Sequence, residues 1–389
     1  MRDDLLGQHY TGLSVATVLS GLLGVHNPET VVDLDVGEGS LLMGANDHWG
    51  EAALHGIDID QSNLDVARGR LGRGTYGKAD CLSAGFPPAI TELLSSADVV
   101  LCNPPFLEFA YDAGGAVPSQ DWRQTAEVKF FEISLQLLRH GGSLGIIFPA
   151  RYVSGPAYRE FRKQLLRTCN VVSVTHLPLS TFKTAEVEAY YLVLRKEPPA
   201  GRILLQALDD EGQLSIAISV SAEDAIGRMD YRFHHGVSSW LTTSVPLAML
   251  LIQDACRGIE SQGRSTPSWI FHTSAFRMFP DGNVECPTKN SPRKTGVATV
   301  GDILVPRVGS RCLHHCARVV SGETAFSDCV YRLTVAPEWR NYVFAYLRSP
   351  VGIAMRRLVA HGTCVKILGK QALLDLPVPL VSLEDLERL

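Results

Sequence analysis

Val31-Val32-Asp33-Leu34-Asp35-Val36-Gly37-Glu38-Gly39-Ser40 is an apolar, β-branched run that breaks into a glycine-containing turn. Glycine lets a backbone pass close to a bound molecule, and the helix predicted to follow points its N-terminus at a negative group. Alone, the turn equally describes an ordinary strand-to-helix connection, so its neighbours decide. Leu54-His55-Gly56-Ile57-Asp58 reads as a second strand ending in an acid, where a carboxylate accepts both hydroxyls of a ribose. Asp80, in Lys78-Ala79-Asp80-Cys81-Leu82, follows a third strand and is placed to receive the amino group of a purine, with Cys81 beside it. Each acid alone reads as a helix cap. Three of them, at the ends of successive strands, describe a nucleoside-shaped site that includes Asp33, Gly37 and Gly39.

Outward from the turn, short β-branched runs alternate with amphipathic stretches from Thr30 to about Lys196. Strands are predicted at Thr30–Leu34, Ala52–Asp58, Tyr76–Ala79, Asp98–Cys102, Ser143–Phe148, Val171–His176 and Ala189–Leu194. Helical patterns lie between them, as at Gln61–Arg70 and Glu127–Arg139. This alternation implies an α/β fold with a mostly parallel sheet covered on both faces. The last two strands lie too close in sequence for a crossover helix, so they are predicted to pair antiparallel at one edge.

The strand Ala97-Asp98-Val99-Val100-Leu101-Cys102 runs directly into Asn103-Pro104-Pro105-Phe106. Two prolines after a buried strand fix an extended turn and remove two backbone donors. Carbonyl oxygens are then left facing the crevice beyond the strand ends. Two acceptors, the Asn103 side-chain oxygen and the Pro104 carbonyl, suit the two protons of a planar exocyclic amine. Phe106 offers a face for stacking.

Asn-Pro-Pro-Phe after the fourth strand, preceded by the glycine turn and two acids, resembles the amino-methyltransferases of restriction-modification systems. His9-Tyr10-Thr11 ahead of the turn resembles the gamma group of adenine-N6 DNA methyltransferases, where this segment helps cover the cofactor. The resemblance covers about residues 5–197. It implies a Rossmann-like methyltransferase sheet, S-adenosylmethionine as cofactor, and methylation of a flipped-out adenine in double-stranded DNA. A cognate restriction endonuclease would be a possible partner. By the same resemblance Asn103, Pro104, Pro105 and Phe106 are catalytic, and Phe182 supplies the second aromatic face of the base pocket. His9, Tyr10, Thr11, Asp33, Gly37, Gly39, Asp58, Asp80 and Cys81 hold the cofactor. The chain departs from the family at three places: Gly12 stands where Pro is usual, and Asp35 and Glu38 stand where small or hydroxyl residues are usual.

Glu197-Pro198-Pro199-Ala200-Gly201 marks a predicted boundary. Residues 1–200 read as the methyltransferase domain, 201–230 as a linker or extension, and 231–389 as an α+β DNA target-recognition domain. Gly301–Ser310, Ala325–Asp328, a helix over Tyr342–Val359, and the segment from Gly362 to Pro379 resemble the recognition domains of Type I specificity subunits. Residues 1–230 carry 18 Lys and Arg against 29 Asp and Glu, whereas residues 231–389 carry 18 against 12. A polyanion would therefore be gripped mainly by the second half, with Lys289, Arg293, Lys294, Arg307 and Arg311 as candidates. Cys312-Leu313-His314-His315-Cys316 lacks a second ligand pair at ordinary zinc spacing, so no metal site is predicted.

The whole chain has 389 residues, a net charge of −5 and 20% charged residues, which suits globular domains and excludes a disordered one. No apolar run approaches the roughly 20 residues of a membrane helix. MRDDLLGQHY does not read as a signal peptide, and nine scattered cysteines favour a reducing, cytoplasmic setting. The alternatives are a methyltransferase of protein glutamine or of the guanine amino group in ribosomal RNA, or a catalytically idle DNA-specificity subunit. The sequence leaves both monomer and dimer open.

Overall fold

The computed structural model describes residues 13–82, 88–106, 110–112, 115–117, 123, 125–182, 187–240, 244–258, 270–286, 296–309, 313–361 and 365–388. It divides into two units, Met1–His234 and His235–Leu389.

In the first unit, helix α1 (Leu13–Leu22) precedes β1 (Thr30–Asp33), α2 (Ser40–His48), β2 (Ala53–Asp58), α3 (Gln61–Leu71) and β3 (Thr75–Lys78). A single turn, α4 (Pro88–Thr91), and β4 (Ala97–Cys102) come next, then a small hairpin of β5 (Ala110–Asp112) and β6 (Gly115–Val117). The chain continues through α5 (Ala126–Leu137), β7 (Leu138–Pro149), α6 (Ala150–Ser154), α7 (Arg159–Thr168), β8 (Asn170–His176) and β9 (Ala189–Arg195). It ends in β10 (Arg202–Ala207), β11 (Ile218–Ser221) and α8 (Ala222–Gly227).

Nine of these strands form one sheet in the order β11-β10-β8-β9-β7-β4-β1-β2-β3. The five strands from β3 to β7 are parallel to one another, so their C-terminal ends share one edge. The chain moves from β1 outward to β2 and β3, then returns to lay β4 on the other side of β1. That reversal opens a crevice between the ends of β1 and β4, where open α/β sheets bind their ligands.

The expected antiparallel pair is present, with β9 inserted between β7 and β8. It is not the edge of the sheet. β10 pairs parallel with β8, and β11 pairs antiparallel with β10. Residues 201–230, read from sequence as a linker or extension, thus extend the first sheet. The physical reason is the buried pair Ile203 and Leu205, which alternates with exposed neighbours and covers what would otherwise be an open edge.

Side chains alternate between the sheet's two faces. Val32, Val100, Ile146, Phe148 and Leu192 point to one face and pack with Phe131 of α5 and Phe161 of α7. Val31, Leu101, Ile147 and Val193 point to the other and pack with Ala16, Leu41 and Leu64 of the first three helices.

The second unit contains a five-stranded sheet, in the order Leu251–Arg257, Val330–Val335, Ile303–Pro306, Ala317–Ser321 and Asn283–Glu285. A three-stranded sheet joins Ile270–Phe271, Glu323–Phe326 and Val297–Thr299. The single helix expected over Tyr342–Val359 is two helices, Arg340–Arg348 and Pro350–Val359. The break lies at Ser349-Pro350. Pro350 has no N–H to continue the first helix and suits the first turn of the second, while Ser349 Oγ accepts the Gly352 N–H at 3.1 Å.

Candidate active site

β1 ends at Asp33 and the backbone turns sharply before α2. Gly37 and Gly39 both adopt positive φ, +50° and +87°. A side chain at Gly39 would be strained and would also press on Ala67 of α3, 3.0 Å away. Asp58, at the end of β2, organises this turn. Its carboxylate accepts the Gly37 N–H at 2.9 Å, the Asp60 N–H at 2.7 Å and the Asn63 side-chain amide at 3.2 Å. Asp58 is only 1% exposed. The residue expected to meet the ribose therefore first ties the strand end to the glycine turn. Asn63 was not singled out from sequence; its place one turn into α3, five residues after the acid, is the signal that leads to it.

Asp33 is also 1% exposed. Its Oδ1 accepts the Asp35 N–H at 3.3 Å, while Oδ2 has no hydrogen-bond partner among the described residues. Burial pushes its pKa up to about 8, helped by the charge of Asp58 and opposed by the Asp35 N–H. Burial, then Asp58 and Asp33, hold Asp35 well above the usual carboxylate range. Asp58 is raised by burial against the pull of its donors. Asp80 is half-buried and accepts the Leu82 N–H at 2.9 Å. Cys81 is buried, donates to the Leu34 carbonyl at 3.4 Å, and has its thiol pushed up by burial and by the four surrounding acids. The structure thus gathers Asp33, Gly37, Gly39, Asp58, Asp80 and Cys81 at one sheet edge. His9, Tyr10 and Thr11 lie outside the described residues.

Cys102 ends β4 opposite Ile146 of β7, so Asn103 leaves the sheet beside the end of β1. Asn103, Pro105 and Phe106 are half-buried, and Pro104 is buried. Phe182, between β8 and β9, meets Phe106 with ring centroids 5.8 Å apart and planes at 88°. The two aromatics expected to sandwich a base are neighbours, but they touch edge to face. A base between them requires one ring to turn.

A further polar cluster lies just beyond β7. Glu127, fully buried in the first turn of α5, forms an ion pair with Arg151, and Tyr152 donates to Thr125 at 2.7 Å and to Glu127 at 3.2 Å. Burial raises the Glu127 pKa against the opposing pull of Arg151. These residues stand next to the Asn103 strand, and no local sequence signal links them.

In the second unit, Arg307 is held down. Its Nε donates to the Asp328 carbonyl at 2.7 Å, and its guanidinium lies 3.6 Å from the Asp328 carboxylate. Cys316 is buried, the His314 and His315 rings lie 3.9 Å apart with planes tilted at 44°, and buried Arg356 donates to the His315 carbonyl at 2.6 Å. No group of three metal-ligating side chains occurs among the described residues. Lys289, Arg293, Lys294, Arg311 and Cys312 lie outside them. No helix among the described residues is long and apolar enough to cross a membrane.

A mostly parallel sheet with an inserted antiparallel strand, a glycine turn at its switch point and Asn-Pro-Pro-Phe directly after β4 define a Rossmann-like methyltransferase. The family model for the N-6 DNA Methylase matches residues 2–215, more than half of the chain, and the chain belongs to that family. S-adenosylmethionine is accordingly the methyl donor. The described residues fit it, since the crevice offers a buried carboxylate oxygen without a partner to a cofactor that carries positive charge.

Over 112 residues the chain is 30% identical to a putative type II restriction enzyme and methyltransferase of Methanocaldococcus jannaschii, a match spanning 28% of this chain and 9% of that protein. The type IIG restriction endonuclease BpuSI shares the fold, with a TM-score of 0.51 and 13% identity over 98% of this chain and 61% of that one. A modification subunit of a putative type I restriction enzyme from Vibrio vulnificus is 17% identical over 57% of each chain, with a TM-score of 0.45. The chain spans less than two thirds of the length of each of these proteins.

Proposed function

We propose that the protein methylates the N6 amino group of adenine in double-stranded DNA, at a specific site, as part of a restriction-modification or host-defence system. The observation that carries this reading is the placement of Asn103-Pro104-Pro105-Phe106 directly after β4, beside the acid-lined end of β1. S-adenosylmethionine supplies, when bound, a methyl group on a positively charged sulfur. Asp33 and the Gly37–Gly39 turn would hold its methionine end, Asp58 and Asp80 its ribose and adenine, and His9-Tyr10-Thr11 would cover it.

The target amine sits inside a stacked duplex, so the adenine must rotate out to reach the crevice. The Asn103 side-chain oxygen and the Pro104 carbonyl then accept the two amine protons, which holds the nitrogen toward tetrahedral geometry with its lone pair free to attack. Phe106 stacks on one face of the base, and Phe182 turns from its edge-on contact to cover the other. Catalysis is by positioning and hydrogen bonding in the transition state, with no strong base required beforehand. Residues 235–389 read the DNA sequence in this proposal, and a nuclease or specificity subunit is the partner class that the restriction-modification setting supplies.

The test is transfer of tritiated methyl groups from S-adenosylmethionine to DNA, RNA and protein offered separately to the full chain. N6-methyladenine in the DNA arm is the expected product. Label only in protein or RNA would replace the proposal with one of the alternatives.

A further inference from the structure

The two unusual acids of the glycine turn are treated differently. Glu38 is neutralised by Arg70 of α3 at 2.7 Å, and both side chains face solvent. Asp35 is only partly exposed, and among the described residues no cation or hydrogen-bond donor meets its carboxylate. Among the described residues, the titratable groups that face it or its neighbour Asp33 are all acids: Asp58 from β2, Cys81 after β3, Cys102 at the end of β4, and Tyr191 of β9. Beside it, Asp33 Oδ2 is buried without a partner. An ion-paired acid such as Glu38 contributes little field to the crevice, whereas an unpaired one places a negative potential there whenever it is ionised.

We propose, on the reading that this crevice binds S-adenosylmethionine, that Asp35 sets a preference for the positively charged methyl donor over its neutral thioether product, S-adenosylhomocysteine. The two molecules share ribose, adenine, ammonium and carboxylate groups, and they differ in the methyl group and the charge on sulfur. A carboxylate beside the methionine moiety attracts the ammonium of both molecules, and only the donor adds the attraction of its charged sulfur. Product release is thereby favoured after each turnover. Because burial raises the pKa of Asp33 to about 8, the negative potential beside Asp35 grows and the preference strengthens as pH rises and Asp33 ionises.

The experiment is calorimetric titration of the full chain with each of the two molecules at pH 6.5 and 8.5. Asp35→Asn, Asp35→Ser and Glu38→Gln are compared with the unsubstituted protein. The donor-to-product affinity ratio should fall about tenfold in both Asp35 variants, the scale for one carboxylate acting across roughly 12 Å at an effective dielectric constant of about 20. Glu38→Gln should leave the ratio within about twofold, since Arg70 already screens that acid. In the unsubstituted protein the ratio should rise between the two pH values, a result that needs no variant to fold. An unchanged ratio in folded Asp35 variants, or a ratio in the unsubstituted protein that is flat with pH, overturns the proposal. If neither molecule binds the unsubstituted protein, the cofactor reading itself fails, and the inference falls with it.

Discussion

The two edges of the first sheet use aspartate in opposite ways. At the N-terminal edge, Asp98 of β4 accepts the Glu29 and Thr30 N–H groups at 2.8 and 2.9 Å and the Arg139 guanidinium at 2.6 Å. Although burial alone would raise its pKa, these donors outweigh that and hold its carboxyl below the usual range. At the C-terminal edge, Asp33 lies at the far end of the neighbouring strand with one oxygen unpartnered and its pKa raised to about 8. A carboxylate with a full set of donors stabilises the fold. One left short of donors among the described residues is unfavourable for the fold and marks a candidate for contact with a ligand.

The largest expected effect tests the catalytic side of that edge. Asn103→Ala should lower single-turnover methylation by at least about 100-fold while leaving cofactor binding nearly intact, as when a transition-state hydrogen bond is removed. Rapid-quench kinetics with labelled cofactor measure it. A rate near that of the unsubstituted protein would remove Asn103 from the mechanism and weaken the case that this edge is built for chemistry.

The second effect sets Asp98 directly against Asp33. Asp98→Ala should destabilise the cofactor-free protein by roughly 2–3 kcal/mol at neutral pH, since it strips charge-assisted hydrogen bonds. Asp98 has a depressed folded pKa, so its contribution is present above the unfolded carboxylate pKa and is lost as pH falls through the folded value. Asp33 has a raised folded pKa, so the sign reverses. Its penalty is absent below the unfolded pKa of about 4 and grows as pH rises toward about 8. Asp33→Asn should therefore melt at a higher temperature than the unsubstituted protein at pH 8.5 and show little gain at pH 4.5, while binding the cofactor more weakly. Melting curves for both variants at both pH values check the pair. Parallel pH responses would break the contrast.

The third effect concerns the aromatic pair. Phe182→Ala should weaken binding of a duplex carrying 2-aminopurine at the target position by about 1–3 kcal/mol and change the fluorescence rise on binding. Titration by fluorescence gives both quantities. An unaltered response would leave Phe182 as core packing against Phe106 and nothing more.

How much of this was legible before the structure depends on how far apart the partners lie. The glycine turn, the three acids and Asn103–Phe106 each sit in one contiguous segment, and the strand rhythm places all of them at one edge. What was hidden depends on the fold. Glu127 and Arg151 are 24 residues apart and meet only because α5 packs against β7, at whose end α6 carries Arg151. The edge-on contact of Phe106 and Phe182 is a matter of side-chain rotation, which no spacing encodes. The stretch from Arg202 to Arg228 reads as short strands and acidic turns, but the sheet that β10 joins was hidden because its partner β8 is set by the fold, although Ile203 and Leu205 alternate as a half-buried strand should. Pro350 was a readable stop within the C-terminal helical stretch, yet apolar periodicity on both sides of it argued for one continuous helix.

The smallest effect carries the same contrast into the second unit. From sequence, Arg307 is a candidate for contact with a DNA phosphate. In the structure its guanidinium is bound to the Asp328 carbonyl and stands near the Asp328 carboxylate, so it resembles Asp98 in having its partners inside the fold. Arg307→Ala should then cost about 1 kcal/mol of stability through the lost hydrogen bond. It should leave the slope of DNA affinity against salt unchanged, because a residue that meets phosphate lowers that slope by about one when removed. Gel-shift titrations at several salt concentrations, beside a thermal melt, separate the two roles. A reduced slope with unchanged stability would return Arg307 to the DNA surface. It would also show that the Arg307–Asp328 contact is a resting state that a phosphate displaces, and the partner-counting argument drawn from Asp33 and Asp98 would then hold only for buried carboxylates.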